Sequence, residues 1–538
     1  MKSILSITVI ILSINYSFSQ NYNLPTDIDK YHTIDRIELL NDNESFNTSI
    51  KPYSFNNLNA LIRCSNIDEE LLIKEGLNET KLKNKGLYKD GVNFLTIYDK
   101  NLSLNINPLI YSNFGIERGS VSQPIYRNSR GLEVSGNIMK KLGFYTSVLE
   151  NQIIFPSYID SYISKTTVIP HVGFWKRYKE NGVDYFLARS HIKFNLIEPI
   201  NLEFGYDNQF IGNGFRSMIL SDFAPPSLYL KLTTNIWKLN YTNLFKELTA
   251  EISTSGGIPN GNEVYPKKYL ALHHLNLKIN KNLDIGLFES VIFQRNDSMG
   301  MELNYLNPLI FYRAVEQNLG SPDNALLGLD FRWKIKKGLA IYGQLVLDEL
   351  IVKEVFSGDG WWGNKQSGQF GIKYYNALGM KNLDLQGEFN IARPYMYSHT
   401  EGITNYSHYL QALAHPLGAN FHEIVGVANY QISNKLKATA QLIYSKYGSD
   451  TTGTNYGKGI LLANANRPQD YDNKIGQGFE TKLLLADLNF SYQLRSGLFI
   501  DLRQVIRKEK TQDLGIDLNT YFMNLGIRMH IGRSNFHF

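Results

Sequence analysis

The chain has 538 residues, and its 55 basic and 50 acidic side chains leave a formal net charge of only +5. These charges form no basic block, which gives no support for nucleic-acid binding, and an aromatic content of 13% argues against a disordered chain. The single cysteine, Cys64, excludes an intrachain disulfide and any cysteine-based metal cluster. Beyond the N-terminus no apolar run approaches about 18 residues, which excludes a helical membrane protein.

The first segment has the organisation of a secretory signal peptide. Lys2 precedes an apolar core from Ile4 to Ile14, and the small residues Ser17 and Ser19 precede a cleavage point before Gln20. A membrane-anchoring helix is the alternative, but the apolar run is too short to cross a bilayer. We therefore predict that residues 1–19 are removed and that the mature chain leaves the cytoplasm.

Residues 20–91 differ from the rest of the chain and are predicted to form an N-terminal periplasmic segment with short helices. Within 57–85 the apolar residues Leu58, Leu61 and Ile62 follow the i, i+3, i+4 spacing of an amphipathic helix. The pattern predicts one or two such helices. Cys64 falls on or near the apolar face, where we interpret it as a buried free thiol rather than a reactive one.

From residue 92 to 538 the apolar residues recur with period two, which is typical of β-strands. The alternation is clearest in 382–391, 484–494 and 521–531. These segments are about 10 residues long, the length that a tilted strand needs to cross a bilayer. A soluble β-sandwich also alternates, but its strands average about 5 to 6 residues. The signal peptide, the segment length and aromatic residues near segment ends favour a membrane barrel.

The length of the alternating region sets the size of the barrel. At roughly 24 residues per strand with its share of turn and loop, residues 92–538 predict about 18 strands. The predicted fold is therefore all-β: a closed antiparallel transmembrane β-barrel with short helical N-terminal or plug elements. A barrel this wide is either an open channel or a plugged one. The chain ends on Phe538, an aromatic residue of the kind that outer-membrane assembly machinery reads, although Gly532 and Ser534 break the alternation before it.

One block, YDNQFIGNGFRSMILSDFAPPSLYLKL at 206–232, has features beyond alternation. Gly212 and Gly214 permit a tight backbone path, while Pro225 and the following proline end strand pairing. This block resembles the Wzi capsule-assembly family of outer-membrane β-barrels. Four further blocks support the resemblance in the order that the family has them: 267–290, 302–317, 324–333 and 413–423.

The resemblance covers roughly residues 100–538 and implies a barrel of about eighteen strands whose periplasmic side is plugged by helical elements. It implies a lectin-like attachment or assembly factor for capsular or other surface polysaccharide. The composition is similar to that of chains from Bacteroidetes, whose relatives include the gliding-motility barrel RemB, and the motifs do not separate the two roles. The family-motif residues, to which we assign a structural role, are Asn208, Gly212, Gly214, Arg216, Ser217, Asp222, Pro225, His415, Pro416, Gly418 and Asn420.

A glycine-rich stretch at 357–369, SGDGWWGNKQSGQ, provides the strongest candidate for ligand binding. Sugars present apolar ring faces edged by hydroxyls, which exposed Trp361 and Trp362 with Asp359 and Asn364 would complement. The alternative is a pair of girdle tryptophans at the membrane interface. If this stretch is not the site, the polar loop 448–473 is the next candidate, with two tyrosines as stacking surfaces.

Histidines and charged residues form two further groups. His408, His415 and His422 recur every seven residues, but Pro416 and Gly418 would break a helix that aligned them, so we predict no metal site. The second group is predicted to form a charged network across the lumen that holds the plug, with acid-base catalysis as the alternative. Its members are Glu289, Arg295, Glu302, Arg313 and Glu316.

The sequence contains none of three common catalytic or nucleotide-binding motifs: Gly-x-Ser-x-Gly, the P-loop and His-Glu-x-x-His. We expect a non-enzymatic barrel with no catalytic residues, no metal and no cofactor. Its expected partners are surface or capsular polysaccharide, outer-membrane lipid and the barrel assembly machinery, with no nucleic acid. The alternatives are a gliding-motility accessory barrel, a diffusion porin and an outer-membrane hydrolase whose catalytic groups come from distant strands.

Overall fold

The computed structural model describes residues 21–26, 28–41, 46–63, 86–88, 91–139, 141–197, 199–255, 257–294, 302–309, 311–312, 323–349, 351–451 and 453–538. Within these ranges, 18 antiparallel strands of 8 to 18 residues close into one barrel, and the predicted fold class is confirmed. The last strand pairs with the first, from Met529 opposite Ile110 to Thr520 opposite Gly119.

The barrel strands are numbered in chain order. They are β1 (Leu102–Gly119), β2 (Gln123–Ile138), β3 (Leu142–Ile154), β4 (Gly182–Ile197), β5 (Ile200–Asp207), β6 (Ser227–Ile236), β7 (Leu239–Thr249), β8 (Lys267–Asn280), β9 (Leu283–Phe293), β10 (Asn324–Lys336), β11 (Leu339–Leu347), β12 (Gln366–Tyr375), β13 (Leu383–Ala392), β14 (Phe421–Gln431), β15 (Leu436–Ser449), β16 (Phe479–Arg495), β17 (Leu498–Thr511) and β18 (Ile516–Met529).

The two ends of the barrel differ in the length of their connections. Tight turns such as 237–238, 281–282 and 496–497 lie at one end, whereas the other end carries long connections such as 155–181 and 393–420. Outer-membrane barrels have short periplasmic turns and longer extracellular loops. The short-turn end, where the chain also enters β1 and leaves β18, is therefore the periplasmic end.

The barrel wall follows the alternation predicted from the sequence. Along β16 the side chains of Leu488, Phe490 and Tyr492 are exposed on the outside, whereas Asn489 and Ser491 between them are buried in the lumen. This is the arrangement of a wall with lipid on one side and a polar interior on the other. The interior is polar but packed, because other parts of the chain fill it.

The closed hydrogen-bond ladder predicts resistance to denaturation. Because every barrel strand pairs with a neighbour on each side over most of its length, the wall has no edge strand at which unfolding can begin. We expect the detergent-extracted mature protein to migrate as a folded species on unboiled SDS gels and to shift on boiling. A product that is soluble without detergent and denatures without boiling would contradict the membrane barrel.

An N-terminal plug occupies the periplasmic end of the lumen. Its helices are α1 (Ile28–Leu40) and α2 (Phe55–Arg63), and their apolar residues share one buried cluster that includes Ile34, Ile37 and Leu58. Among the described residues, no helix is long and apolar enough to cross a membrane. α2 contains Leu58, Leu61 and Ile62, where the sequence predicts a helix, while the rest of that predicted region, 64–85 with Cys64, lies outside the described part of the chain.

The polar side of α1 is bound to the barrel wall. Asp35 pairs with Lys373 of β12 at 2.5 Å, and Glu38 pairs with Arg332 and with Lys334 of β10, the latter at 2.9 Å. Burial raises the pKa of Glu38, but Arg332 and Lys334 outweigh it and hold that pKa below its ordinary value. Because these ion pairs join the helix to inward-facing strand residues, the N-terminal segment is fixed inside the barrel.

Two more parts of the chain enter the lumen from its ends. The connection 208–226 folds inward and pairs as a short antiparallel strand, Phe210–Ile211, with Ile50–Lys51 of the N-terminal segment. The last residues, 530–538, turn back into the barrel, and Phe538 packs against Tyr162 of α3 (Ser157–Thr166) with ring centroids 4.7 Å apart. The structure therefore places Phe538 inside the lumen rather than on the last strand, because Gly532 and the residues around it end the alternation that β18 requires.

Candidate functional site

The tryptophan pair lies in the connection 348–365, which joins β11 to β12 at the extracellular end. A short helix, α4 (Val352–Ser357), ends at Gly358, whose φ of 77° is left-handed, and Gly360 follows with φ of 65°. Glycine adopts these angles at little cost, so the two glycines turn the chain back toward β12. The stretch is an extracellular loop, as its glycine content predicted, and not the end of a strand.

Both tryptophans are half-buried, and their ring centroids are 5.8 Å apart. The guanidinium of Arg467 lies 4.0 Å from the centroid of Trp362, and the ammonium of Lys365 lies 5.5 Å from it. Tyr395 packs edge-to-face with the same ring, with the two ring centroids 6.3 Å apart. Trp362 is thus packed among extracellular loops, which disfavours the lipid-facing girdle alternative for this ring.

The tryptophan loop pairs with the loop 450–478. The Trp362 amide donates a hydrogen bond to the Asp470 carbonyl at 2.8 Å, and the Asp472 amide donates to the Asp359 carbonyl at 2.8 Å. The Asn473 amide donates to the Gly360 carbonyl at 2.9 Å. The two loops that the sequence proposed as separate candidates therefore form one surface.

This paired surface offers aromatic faces next to charged groups. Asp359 is exposed, and Tyr471 from the second loop is 47% exposed. Asn364 is only 4% exposed, so its side chain is buried and is not part of the surface that the other candidate residues form. Alternation and glycine content could not reveal this burial, since it arises from packing between loops that are distant in sequence.

Buried ions fix the base of the tryptophan loop. Lys365 is fully buried and donates hydrogen bonds to a carboxylate oxygen of Glu349 at 2.9 Å and to the Ser398 carbonyl at 3.0 Å. Burial raises the pKa of the neighbouring Asp348 to about 6, although Lys365 opposes that rise. Because the base is held by buried contacts, the loop presents its tip in one defined arrangement.

The inserted part of the family-motif block, residues 208–226 between β5 and β6, lies in the lumen rather than on the surface. A Cβ at Gly212 would lie 2.4 Å from the side-chain nitrogen of Gln344, and one at Gly214 would lie 2.5 Å from a carboxylate oxygen of Glu388. Any larger residue would force these neighbours to move. Both glycines therefore allow the inserted chain to approach the inner wall closely.

Arg216 joins the two motif blocks. Its guanidinium donates to both carboxylate oxygens of Glu423, at 3.3 and 3.2 Å, and also to the His537 carbonyl. His415 contacts the same carboxylate through Nε2 at 2.8 Å. Glu388 accepts the Arg216 amide at 3.0 Å. Residues about 200 positions apart in the sequence thus meet in one buried cluster.

The remaining motif residues form turns around this cluster. The side-chain amide of Asn208 donates to the backbone carbonyls of Asp222 and Ala224, at 3.2 and 2.6 Å. The Ser217 hydroxyl donates to the Ile211 carbonyl at 2.5 Å. In the second block Gly418 has φ of 69°, and the Asn420 side chain donates to the Gly448 carbonyl at 3.1 Å. Pro225 is buried, Pro416 is half-buried and the Asp222 side chain is exposed. These contacts agree with the structural role that we predict for the motif residues.

A family model described as Capsule assembly protein Wzi matches residues 106–513. The chain belongs to the Wzi capsule-assembly family. It is accordingly an outer-membrane β-barrel, as the sequence predicted. No curated protein sequence matches the chain significantly.

Among solved structures, the barrel is similar to Wzi of Escherichia coli, an outer-membrane protein involved in group 1 capsule assembly and a carbohydrate-binding β-barrel. That likeness has a TM-score of 0.58 at 13% identity and covers 95% of this chain and 100% of that one. The outer-membrane protein OprD of Pseudomonas aeruginosa is more distant, with a TM-score of 0.40 at 9% identity over 80% of this chain and 96% of that one.

The histidines of this Wzi-family barrel have different surroundings. His274 faces the lumen and contacts Asp330 at 2.6 Å, while its neighbour His273 faces outward and packs on Tyr312 at 4.0 Å. His422 lies on β14, and His408 lies in the connection 393–420. In the described part of the chain, no three His, Cys, Asp or Glu residues come together as metal ligands.

The prediction of a charged network across the lumen is wrong for Glu289 and Glu302, the two members that the structure describes. Glu289 pairs in register with His273 on the outer face of β9, and the segment that carries Glu302 packs outside the wall through Tyr305. Period two does not reveal which face is inward where both faces carry polar residues, which is the case in β8 and β9. The other three members, Arg295, Arg313 and Glu316, lie outside the described residues.

Proposed function

We propose that this Wzi-family barrel binds or organises capsular or other surface polysaccharide at the outer face of the outer membrane, as a lectin-like factor in capsule assembly. The observation that carries the proposal is the surface formed by the loops 348–365 and 450–478 at the extracellular end. Family membership supports the same role, as does the fold shared with the carbohydrate-binding Wzi of Escherichia coli.

The chemistry of the paired loops suits a sugar. Trp361 and Tyr471 provide aromatic surface on which the apolar face of a pyranose ring stacks. The Arg467 guanidinium lies over the Trp362 ring and offers donors for sugar hydroxyls, and the exposed Asp359 carboxylate offers an acceptor. Because the loops are held together by backbone hydrogen bonds, these groups are positioned before a ligand arrives, which lowers the entropic cost of binding.

We further infer that the protein acts by binding and not by catalysis. The buried carboxylate Glu423 is engaged by Arg216 and His415, which leaves it no role as a free acid or base. The plug, the inserted connection 208–226 and the last residues occupy the lumen and disfavour a diffusion porin. Among the described residues, these three segments and the inner wall enclose a cavity of about 370 Å³.

The test is to replace both tryptophans by alanine. If each ring contributes about 1 kcal/mol of sugar contact, the double variant should bind polysaccharide roughly 30-fold more weakly, measured by titration of the folded protein. The single variant Trp361→Ala should weaken binding about fivefold, which corresponds to about 1 kcal/mol.

Trp237→Ala serves as the matched control. Trp237 is 84% exposed in the turn 237–238 at the periplasmic end, so its loss should leave polysaccharide binding unchanged. All variants are compared per folded molecule, with folding measured by the shift on unboiled gels. Unchanged binding by the folded double variant would remove this surface as the polysaccharide site.

A further inference from the structure

The barrel wall separates between β6 and β7 at the extracellular end. The two strands pair from the turn up to Tyr229 opposite Lys246 and no further. Beyond that point β6 still pairs with β5 up to Ser227, and β7 still pairs with β8 up to Thr249. Two prolines, Pro225 and Pro226, precede β6 and have no amide hydrogen to continue the ladder. The wall therefore contains a lateral gap.

A small hairpin from the connection 393–420 fills the inner side of this gap. Its strands are Ser407–His408 and Gln411–Ala412. The Tyr409 amide donates to the Thr249 carbonyl at 3.0 Å, and the Thr249 amide donates to Nδ1 of His408 at 2.9 Å. Nε2 of His408 contacts the Pro226 carbonyl at 3.4 Å. One imidazole thus bridges the separated ends of β6 and β7.

These contacts determine the tautomer and the charge of the His408 imidazole. Because Nδ1 accepts a hydrogen bond, Nε2 carries the proton and donates to Pro226. Burial, assisted by the nearby charge of Lys246, lowers the pKa of His408 to about 3, so the ring is neutral at ordinary pH. Both ring nitrogens are occupied by the backbone, and His408 serves as part of the wall of the gap rather than as a ligand group.

A cavity of about 710 Å³ lies outside this hairpin. Tyr206 and Thr249, which line it, sit on the outward faces of β5 and β7, so the cavity opens toward the side of the barrel. Its aromatic walls include an edge-to-face pair, Tyr265 and Tyr409, with centroids 6.0 Å apart. Phe174 and Lys176 stand at its rim, and both are exposed.

We propose that this lateral cavity binds the saccharide headgroup of an outer-leaflet glycolipid. The volume lies in the range of ligand pockets, about 300 to 1,000 Å³. Aromatic rings line it for stacking on a sugar, the Asn262 amide can bind hydroxyls, and Lys176 provides a cation for anionic substituents. An opening on the lipid-facing side at the extracellular end suits a ligand whose acyl chains remain in the membrane.

This inference goes beyond the proposed function. The cavity is lined by residues of the connections 155–181, 250–266 and 393–420, whereas the tryptophan surface is built by 348–365 and 450–478. The connection 393–420 reaches both sites through different residues, Tyr409 in the cavity and Tyr395 beside Trp362. The two sites can therefore be changed by separate variants, and an experiment can contradict one proposal while it supports the other.

Gly173→Leu tests the cavity by filling it. A Cβ at Gly173 would meet the Tyr409 ring at an ordinary contact distance of 3.5 Å, and its φ is not left-handed, so a side chain is accommodated by the backbone and projects beside that ring. Gly426→Leu is the matched control. Gly426 faces outward on β14, where the nearest atom to a Cβ lies 4.0 Å away. Lys176→Ala, at an exposed position, removes the cation from the rim without filling the cavity.

The probes are rough-type lipopolysaccharide in detergent micelles and a soluble capsular polysaccharide free of lipid, each titrated into the full-length mature protein and followed by native mass spectrometry. We expect Gly173→Leu to weaken lipopolysaccharide binding about tenfold or more, Lys176→Ala to weaken it less, and Gly426→Leu to match the wild type. Binding of the soluble polysaccharide should be unchanged in all three variants. Unchanged lipopolysaccharide binding by both Gly173→Leu and Lys176→Ala would overturn the proposal, as would a loss confined to the soluble polysaccharide.

Discussion

Asp29→Asn is expected to release the N-terminal plug while the barrel wall stays closed. The Asp29 carboxylate of α1 contacts Arg533 at 2.8 Å, Lys437 of β15 at 3.1 Å and Arg528 of β18 at 3.3 Å. An asparagine would leave these three cations close together without their shared anion. Loss of one partner from a buried ion cluster costs about 3 to 5 kcal/mol. The N-terminal segment should become sensitive to protease, and the reconstituted variant should conduct, whereas we expect the reconstituted wild type not to conduct.

The contribution of Asp29 to stability changes with pH in a direction that its surroundings determine. Burial raises the pKa of Asp29, but Arg533, Lys437 and Arg528 outweigh it and hold that pKa well below the ordinary 3.8. Its contribution to stability is therefore fully present above pH 3.8 and is lost only as the pH falls further. The stability difference between wild type and Asp29→Asn should be constant from pH 5 to 7, roughly one to three units above that ordinary value.

Glu480→Gln is the matched control for Asp29→Asn. Glu480 also contacts two cations, Lys446 at 2.5 Å and Lys482 at 3.2 Å, but its side chain is 41% exposed at the extracellular end. Exposed ion pairs contribute little, so this variant should remain closed and protease-resistant. Equal behaviour of the two variants would show that the ion cluster at Asp29 does not hold the plug.

Period two predicted the barrel because each strand separates lipid from a polar interior, and β16 follows the pattern almost residue by residue. The sequence predicted short helices within 20–91, but the apolar spacing located only α2 and not α1. A helix inside a polar lumen needs apolar residues only where it meets α2, and its other side carries Asp29, Asp35 and Glu38 bound to strand residues. A pattern that assumes water on one side of a helix therefore does not detect it.

The candidate site was predictable in its chemistry but not in its assembly. Adjacent tryptophans among glycines indicated an extracellular loop, which the structure contains. The backbone pairing of Trp362 with Asp470 joins segments about 110 residues apart, and nothing in either segment specifies the other. The role of His408 was missed for the same reason, because its partners Thr249 and Pro226 are distant in the sequence.

Arg216→Ala is expected to reduce strongly the amount of assembled barrel. The side chain of Glu423 is 1% exposed, and the arginine provides two of its hydrogen bonds. Without the guanidinium, Glu423 retains His415 but loses its main counter-charge in a buried site, which costs about 3 to 5 kcal/mol. Arg216→Lys should restore only part of this loss, because an ammonium cannot make the same two-pronged contact. The yield of the heat-shifting species on gels measures the effect.

A double variant separates loss of charge balance from loss of packing. Arg216→Ala with Glu423→Gln removes the unpaired charge as well as the arginine, so it should assemble better than Arg216→Ala alone, since replacing both partners of a buried pair is far milder than removing one. Arg495→Ala, which removes an exposed arginine at the periplasmic end, should assemble normally. If Arg216→Ala assembled at wild-type yield and lost only polysaccharide binding, Arg216 would belong to a binding site, and the family-motif block in the lumen would have a role in ligand recognition rather than in holding the inserted chain to the wall.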